Sequence, residues 1–224
     1  METDFRKNQF TVYRCCKRPE ILKCASIVKT GGVIVYPTDT VYGIGCDPYS
    51  DEAAERIFQI KGRNKANPLP ILASNIQDIE KITLLGENAK RLAMAFWPGA
   101  LTIISTLTDK RISTNVTAGK TTVGVRVPNN KCAITLLKHC KYLVGTSANN
   151  SGEKPCNSIS EVILSPLRGF DAILDGGHTK QGESTILDLS GPVPKITREG
   201  VISSDAINRV LKRKRADLKS WIII

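Results

Sequence analysis

Two short polar segments, Lys61-Gly62-Arg63 and Ser147-Ala148-Asn149, each place two polar side chains one residue apart where the surrounding apolar pattern breaks. Lysine supplies a flexible point charge and arginine a planar fork, a pairing suited to phosphate and carboxylate. The serine–asparagine pair offers neutral donors and acceptors for a nucleotide's phosphates, sugar or base. Further polar residues are spread along the chain: Thr38 and Thr40 in PTDTVYGIG, Asn67 in KGRNKANPL, and Thr122 and Arg126 in TTVGVRVP. Gly145, Ser147 and Asn149 lie in GTSAN, Ser184 in GEST and Arg198 in ITREG. Taken one at a time, each fits a turn or a solvated surface equally well. Spacing alone does not make them converge.

Two common phosphate-binding patterns are excluded. Residues 177–184 nearly spell GxxxxGK[ST], but Glu183 stands where the lysine is required, and the next residues read as a strand rather than a helix. A carboxylate there repels phosphate. Gly43-Ile44-Gly45 lacks the third glycine and opening helix of a dinucleotide fingerprint. Seven cysteines with no CxxC pair, together with only two histidines, argue against a zinc site. The default expectation is reduced thiols acting as small hydrophobes, with no base nominated for a catalytic cysteine.

The elements that must position these residues alternate between helix and strand. Residues 19–29 read as a helix stopped at Gly31-Gly32, and 33–36 form an apolar β-branched run ended by Pro37. A polar, glycine-punctuated loop is expected over 38–45. Ser50 is an N-cap candidate for a helix opening with Asp51 and Glu52, which delivers Lys61 and Arg63 to its exit. Strands are expected near 69–73, 101–107, 121–127, 142–145, 172–174, 185–189 and 195–197. Helices are expected at 89–96, 132–138 and from about 205 to 213, and Ser147 and Asn149 fall in the loop after residue 145. This interleaving predicts a mixed α/β domain, with its polar motifs at element ends, where rigid folds place functional groups.

The chain has 224 residues, of which 41% are hydrophobic, enough to bury one sizeable core. No run of about 18 apolar residues spans a membrane, and METDFRKNQF is not a secretory signal, so a cytoplasmic location is expected. The formal charge of +11 sits at the ends. Residues 1–29 hold seven basic and three acidic side chains, and residues 209–224 six and one, which leaves only +2 on the body. The basic termini are compatible with RNA or another polyanion, and equally with solvated tails.

In order, PTDTVYGIG, KGR with NPL, WPGALT, TVGVRVP, TSAN, GGHTKQGEST and ITREG resemble the signature of the YrdC-like threonylcarbamoyl-AMP synthase family, over roughly residues 20 to 205. The resemblance implies a single YrdC-like α/β domain, a twisted mixed sheet flanked by helices with a concave basic pocket. Its boundaries would be an N-terminal extension over 1–18, a catalytic domain over 19–205 and a basic tail over 206–224. It implies condensation of L-threonine, bicarbonate and ATP, with Mg²⁺, to threonylcarbamoyl-adenylate and pyrophosphate. That is the first step toward N6-threonylcarbamoyladenosine at adenosine 37 of tRNAs reading ANN codons. Partners would be tRNA or other RNA and a downstream threonylcarbamoyl transferase complex.

By position, Lys61, Arg63, Asn67, Thr122, Ser147, Asn149 and Arg198 would serve the nucleotide, with Lys61 and Arg63 carrying catalysis. Thr38, Arg126, Gly145 and Ser184 would serve threonine. Family members often carry a histidine in the segment after NPL, where this chain has Pro70-Ile71-Leu72. Longer relatives add a C-terminal domain through a linker, and this chain resembles the short form. The competing expectation is a non-catalytic RNA-binding or ribosome-assembly factor of the same fold.

Overall fold

The structure is a computed structural model, and it describes residues 10–180 and 182–212. In chain order the elements are β1 (Thr11–Arg14), α1 (Arg18–Lys29), β2 (Ile34–Pro37), β3 (Tyr42–Gly45), α2 (Asp51–Lys61), β4 (Ile71–Ala73) and α3 (Ile76–Ile79). Next come β5 (Thr83–Leu84), α4 (Glu87–Phe96), β6 (Leu101–Leu107), α5 (Thr114–Thr117), β7 (Thr122–Arg126), α6 (Lys131–Cys140), β8 (Tyr142–Val144) and β9 (Thr146–Ser147). The last are α7 (Ile159–Leu164), β10 (Ala172–Asp175), β11 (Thr185–Asp188), β12 (Lys195–Arg198) and α8 (Ser204–Lys212).

Two mixed sheets carry the domain. One has the order β1-β10-β2-β3-β9, and the other β12-β11-β6-β7-β4-β8 with β5 on β6. β2 is buried on both faces, which is why its sequence is a continuous apolar run rather than an alternation. Ile34 and Tyr36 face α1 and α6 with Ile21, Val28, Leu136 and Leu137. Val33 and Val35 face the main core with Ile44, Ile57 and Phe58.

Local chemistry sets the bounds of α2. The Ser50 hydroxyl accepts from the Ala53 N–H at 3.2 Å, Asp51 and Glu52 sit at the positive end, and Gly62 ends the helix at φ 57°. The buried face Ala53, Ala54, Ile57, Phe58 and Lys61 then places a lysine in the interior at the last turn.

Three expectations are corrected, and two segments outside the expected catalytic domain gain defined structure. Residues 38–45 are not all loop, because Tyr42–Gly45 pairs antiparallel with β2 and closes a hairpin over Thr38-Asp39-Thr40. Ser147 is not in a loop but in β9, paired with Gly43. Residues 11–14, placed by the sequence in an N-terminal extension, form an edge strand parallel to β10. Cys15 is bonded to Cys132 at a Cα–Cα distance of 5.6 Å, against the expectation of reduced thiols throughout. The two are 117 residues apart and meet only because β1 is the edge strand of the sheet that α6 packs against. Residues 206–212 of the expected tail belong to α8, where Val210 and Leu211 carbonyls accept from Arg91 of α4. Residues 213–224 lie outside the described residues.

Candidate active site at the junction of the two sheets

The chain crosses from one sheet to the other at Gly145, between β8 and β9. Val144 N–H donates to the Cys46 carbonyl and Gly145 N–H to the Pro70 carbonyl, both at 2.9 Å. A side chain at Gly145 would run into Leu72 and the Tyr36 hydroxyl, so only glycine fits this crossing. A pocket opens here. Its wall includes Tyr36, Thr38, Thr40, Gly43, Arg63, Leu72, Thr102, Arg126, Gly145, Ser147, Glu183, Ser184 and Arg198.

Three arginines reach it from different elements. Arg126 closes β7 and is held on every side. Its Nε donates to the Gly99 carbonyl at 2.8 Å, one terminal nitrogen to Thr40 Oγ1 at 3.3 Å and the other to Asp39 Oδ1 at 2.7 Å. Burial lowers its pKa, and Asp39 opposes that shift. The Asp39–Arg126 pair is almost wholly enclosed, with side chains 10% and 7% exposed. Asp39 also accepts from the Asn129 N–H at 3.0 Å.

Arg63 follows the glycine that ends α2. It donates to the carbonyls of Asn67 and Pro68, each at 3.3 Å, and makes no ion pair among the described residues. Burial and nearby Arg198 both lower its pKa. Arg198 ends β12, where it donates to the Ser184 carbonyl and hydroxyl at 3.1 Å each and to Glu183 Oε1 at 2.6 Å. Ser184 Oγ in turn lies 3.0 Å from Thr102 Oγ1.

The remaining sequence candidates fall into two groups. Thr38, Gly145, Ser147 and Ser184 line the pocket beside the arginines. The Thr38 hydroxyl is largely used within its own turn, donating to the Val41 carbonyl at 2.7 Å and accepting from the Thr40 and Val41 N–H groups. Lys61, Asn67, Asn149 and Thr122 are not on the pocket wall. Asn67 supports Arg63 through its carbonyl. Thr122 pairs with Thr106 at the far end of β7 from Arg126.

Lys61 is 2% exposed. Its ammonium donates to the carbonyls of Ser147 and, at 2.6 Å, Asn149. Burial is the main reason its pKa falls to about 8, with Arg63 adding to the effect. The two opening motifs are therefore physically joined: the lysine of the first holds the backbone of the second. Asn149 spends its amide N–H groups on the Asn150 and Glu153 carbonyls, while its Oδ1 is buried without a protein partner. Such a buried acceptor is a place for a ligand or water donor.

Thr102 and Tyr36 are pocket residues that sequence reasoning did not single out. Thr102 sits inside WPGALT, in an alternating β-strand whose facing direction only the sheet reveals. Glu183 was visible as the residue that spoils a phosphate loop, and the structure gives that carboxylate a partner.

The profile of the Sua5/YciO/YrdC family, described as "Telomere recombination", matches residues 26–200. The chain is 35% identical over 196 residues to the threonylcarbamoyl-AMP synthase of Bacillus subtilis, covering 86% of this chain and 57% of that protein. It is 32% identical to the protein of the same name from Pyrococcus abyssi, covering 84% and 56%. It thus spans little more than half the length of these two relatives. A putative threonylcarbamoyl-AMP synthase of Mycobacterium tuberculosis is 34% identical, with 91% of this chain and 96% of that protein covered.

Among solved structures, P. abyssi Sua5 complexed with L-threonine superposes with a TM-score of 0.85 at 31% identity, covering 91% of this chain and 61% of that one. E. coli YciO superposes at 0.75 and 28%, covering 87% and 96%. With a matching profile over most of its length and full-length relatives above 30% identity, the chain belongs to the Sua5/YciO/YrdC family.

Proposed function

We propose that this chain is a threonylcarbamoyl-AMP synthase, condensing L-threonine, bicarbonate and ATP to threonylcarbamoyl-adenylate, pyrophosphate and water. The observation that carries this reading is the gathering of Arg63, Arg126 and Arg198 around one pocket at the sheet junction. Three anionic groups must meet in this reaction, so positioning and charge neutralisation supply most of the catalysis. Residues 19–205 are the catalytic domain in this reading, and the location is cytoplasmic.

On the nucleotide side, Arg63 makes no ion pair among the described residues, so its fork is available to phosphate without breaking one. Arg198 adds a second fork and Ser147 a hydroxyl on the wall, while Asn149 stands behind it with a buried, unpartnered Oδ1. Lys61 contributes positive charge from behind the wall and fixes the Ser147–Asn149 backbone. Asn67 backs Arg63 through its carbonyl, while Thr122, at the far end of β7, makes no contribution to the pocket wall. On the threonine side, Arg126 is immobilised by Gly99, Thr40 and Asp39, and offers its remaining N–H groups to the substrate carboxylate. Ser184, Thr38 and the Gly145 backbone line the same side, with Leu72 supplying an apolar surface against the substrate side chain. Mg²⁺ bound with ATP would supply charge neutralisation on the pyrophosphate beside Arg63 and Arg198. The product would pass to a threonylcarbamoyl transferase complex acting on tRNA.

The test is pyrophosphate release by purified protein with ATP, Mg²⁺ and bicarbonate, with and without L-threonine. Release that depends on both threonine and bicarbonate is expected. Salt-sensitive RNA binding without such turnover would instead support a non-catalytic RNA-binding factor.

A further inference from the structure

Charge balance in the pocket directs attention to Glu183. Lys61, Arg63, Arg126 and Arg198 lie in or directly behind the pocket wall, against the two carboxylates Asp39 and Glu183. The site therefore offers a net charge of +2. A nucleoside triphosphate brings about four negative charges, and bicarbonate adds another. The protein leaves room for a divalent cation.

The two carboxylates differ in availability. Asp39 is enclosed and committed to Arg126 and the Asn129 N–H. Among the described residues, Glu183 is the one acidic side chain on the pocket wall, 40% exposed, with the 38% exposed Arg198 as its partner. A half-exposed ion pair holds by about 1 kcal/mol or less, so a phosphate can take Arg198 away from it. The backbone of Glu183 stays fixed meanwhile, because its carbonyl accepts from the Val201 N–H at 3.0 Å. Once Arg198 turns to phosphate, Glu183 is a bare carboxylate beside a polyanion, and only a cation relieves that.

The donor set also defines which kind of cation fits. No group of three His, Cys, Asp or Glu side chains capable of holding a metal occurs among the described residues. Magnesium is commonly held by one or two carboxylates together with substrate phosphates and water, and one carboxylate facing a phosphate pocket meets that requirement.

We infer that Glu183 is the protein ligand of the divalent cation that arrives on the nucleotide phosphates, and that Arg198 exchanges Glu183 for phosphate as it binds. The inference rests on the nucleotide reading above and adds a metal ligand to it. It makes metal binding conditional on nucleotide, and makes Glu183 matter only when metal is present.

The experiment is calorimetric titration of ATP into wild type, Glu183→Gln and Glu183→Ala, each in excess EDTA and across a series of Mg²⁺ concentrations. Thermal melts confirm that the variants are folded. For wild type, Mg²⁺ is expected to tighten ATP binding tenfold or more. Both variants should lose most of that enhancement, with EDTA affinity unchanged or tighter because Arg198 is released. Water-proton relaxation with Mn²⁺ gives an independent readout: an ATP-dependent enhancement in wild type, reduced in the variants.

Equal Mg²⁺ enhancement in wild type and variants overturns the inference. So does tighter ATP binding in EDTA with the enhancement intact, which would make Glu183 only a restraint on Arg198. A higher threonine requirement with intact enhancement also overturns it and assigns the carboxylate to the substrate ammonium. Failure of wild type to bind ATP under any condition strikes the nucleotide reading itself, and is distinguishable from all of these.

Discussion

Replacing Lys61 by methionine tests whether the ammonium is buried and charged against the Ser147 and Asn149 carbonyls. Methionine keeps most of the side-chain length and removes the charge. Lowering the lysine pKa from 10.5 to about 8 means that the folded protein disfavours the charged form by about 3 kcal/mol relative to the unfolded chain. The sign follows directly. Between pH 8 and 10.5 the unfolded chain holds the proton more tightly than the folded protein, so this group's contribution to stability rises with pH. The penalty is fully present below pH 8, and about 2 kcal/mol of it is relieved between pH 8 and 10.

Methionine removes this dependence and leaves two carbonyls without their donor, at roughly 1–3 kcal/mol each. At pH 7 those effects offset, so Lys61→Met should change stability by no more than about 3 kcal/mol. Urea unfolding of both proteins at pH 7, 8, 9 and 10 isolates the lysine, because the raised cysteine and tyrosine pKa values contribute equally to each. The wild-type protein should gain about 2 kcal/mol on the variant between pH 8 and 10. A stability difference independent of pH would refute the argument. ATP affinity should fall at least tenfold in the variant as the Ser147–Asn149 backbone loses its anchor.

Two further perturbations address the threonine side. Gly145→Ala should cost roughly 1–3 kcal/mol by forcing a methyl into Leu72 and Tyr36. Combined with Leu72→Ala, it should cost less than the sum of the single changes, and strict additivity in urea unfolding would contradict the close approach. Arg126→Met should cost about 3–5 kcal/mol because it strands Asp39 in an enclosed site. Adding Asp39→Asn should recover part of that stability but not threonine affinity, as measured by titration; recovery of both would remove Arg126 from the substrate site.

The longer helices were legible because their signals are local, whereas the short α3, α5 and α7 were not expected. Ser50 caps α2 from three residues away, Gly62 stops it, and the apolar spacing of α4 and α6 marks their buried faces. β2, a short continuous apolar run, and the longer β6 were equally plain. β1 and β9 were missed because they hold together through partners distant in sequence, and β3 because its two glycines hide a hairpin partner of β2. Tyr42-Gly43-Ile44-Gly45 reads as a turn by composition, yet glycine at 45 is needed because Val144 passes too close for a side chain.

The sequence by itself determined the residue types that could neutralise several anions, the order of motifs and the α/β alternation, since each depends on neighbours a few positions apart. Only the tertiary structure decided that Arg63, Arg126 and Arg198 share one wall, because they arrive from the exit of α2, the end of β7 and the end of β12. It also decided that Lys61 turns inward to the carbonyls of Ser147 and Asn149, 86 and 88 residues away. Charge and hydrogen-bond capacity belong to a side chain, but partners and burial belong to the packing of the whole chain. Lys61 has the same chemistry on a solvated surface as in this interior, and only the interior lowers its pKa to about 8.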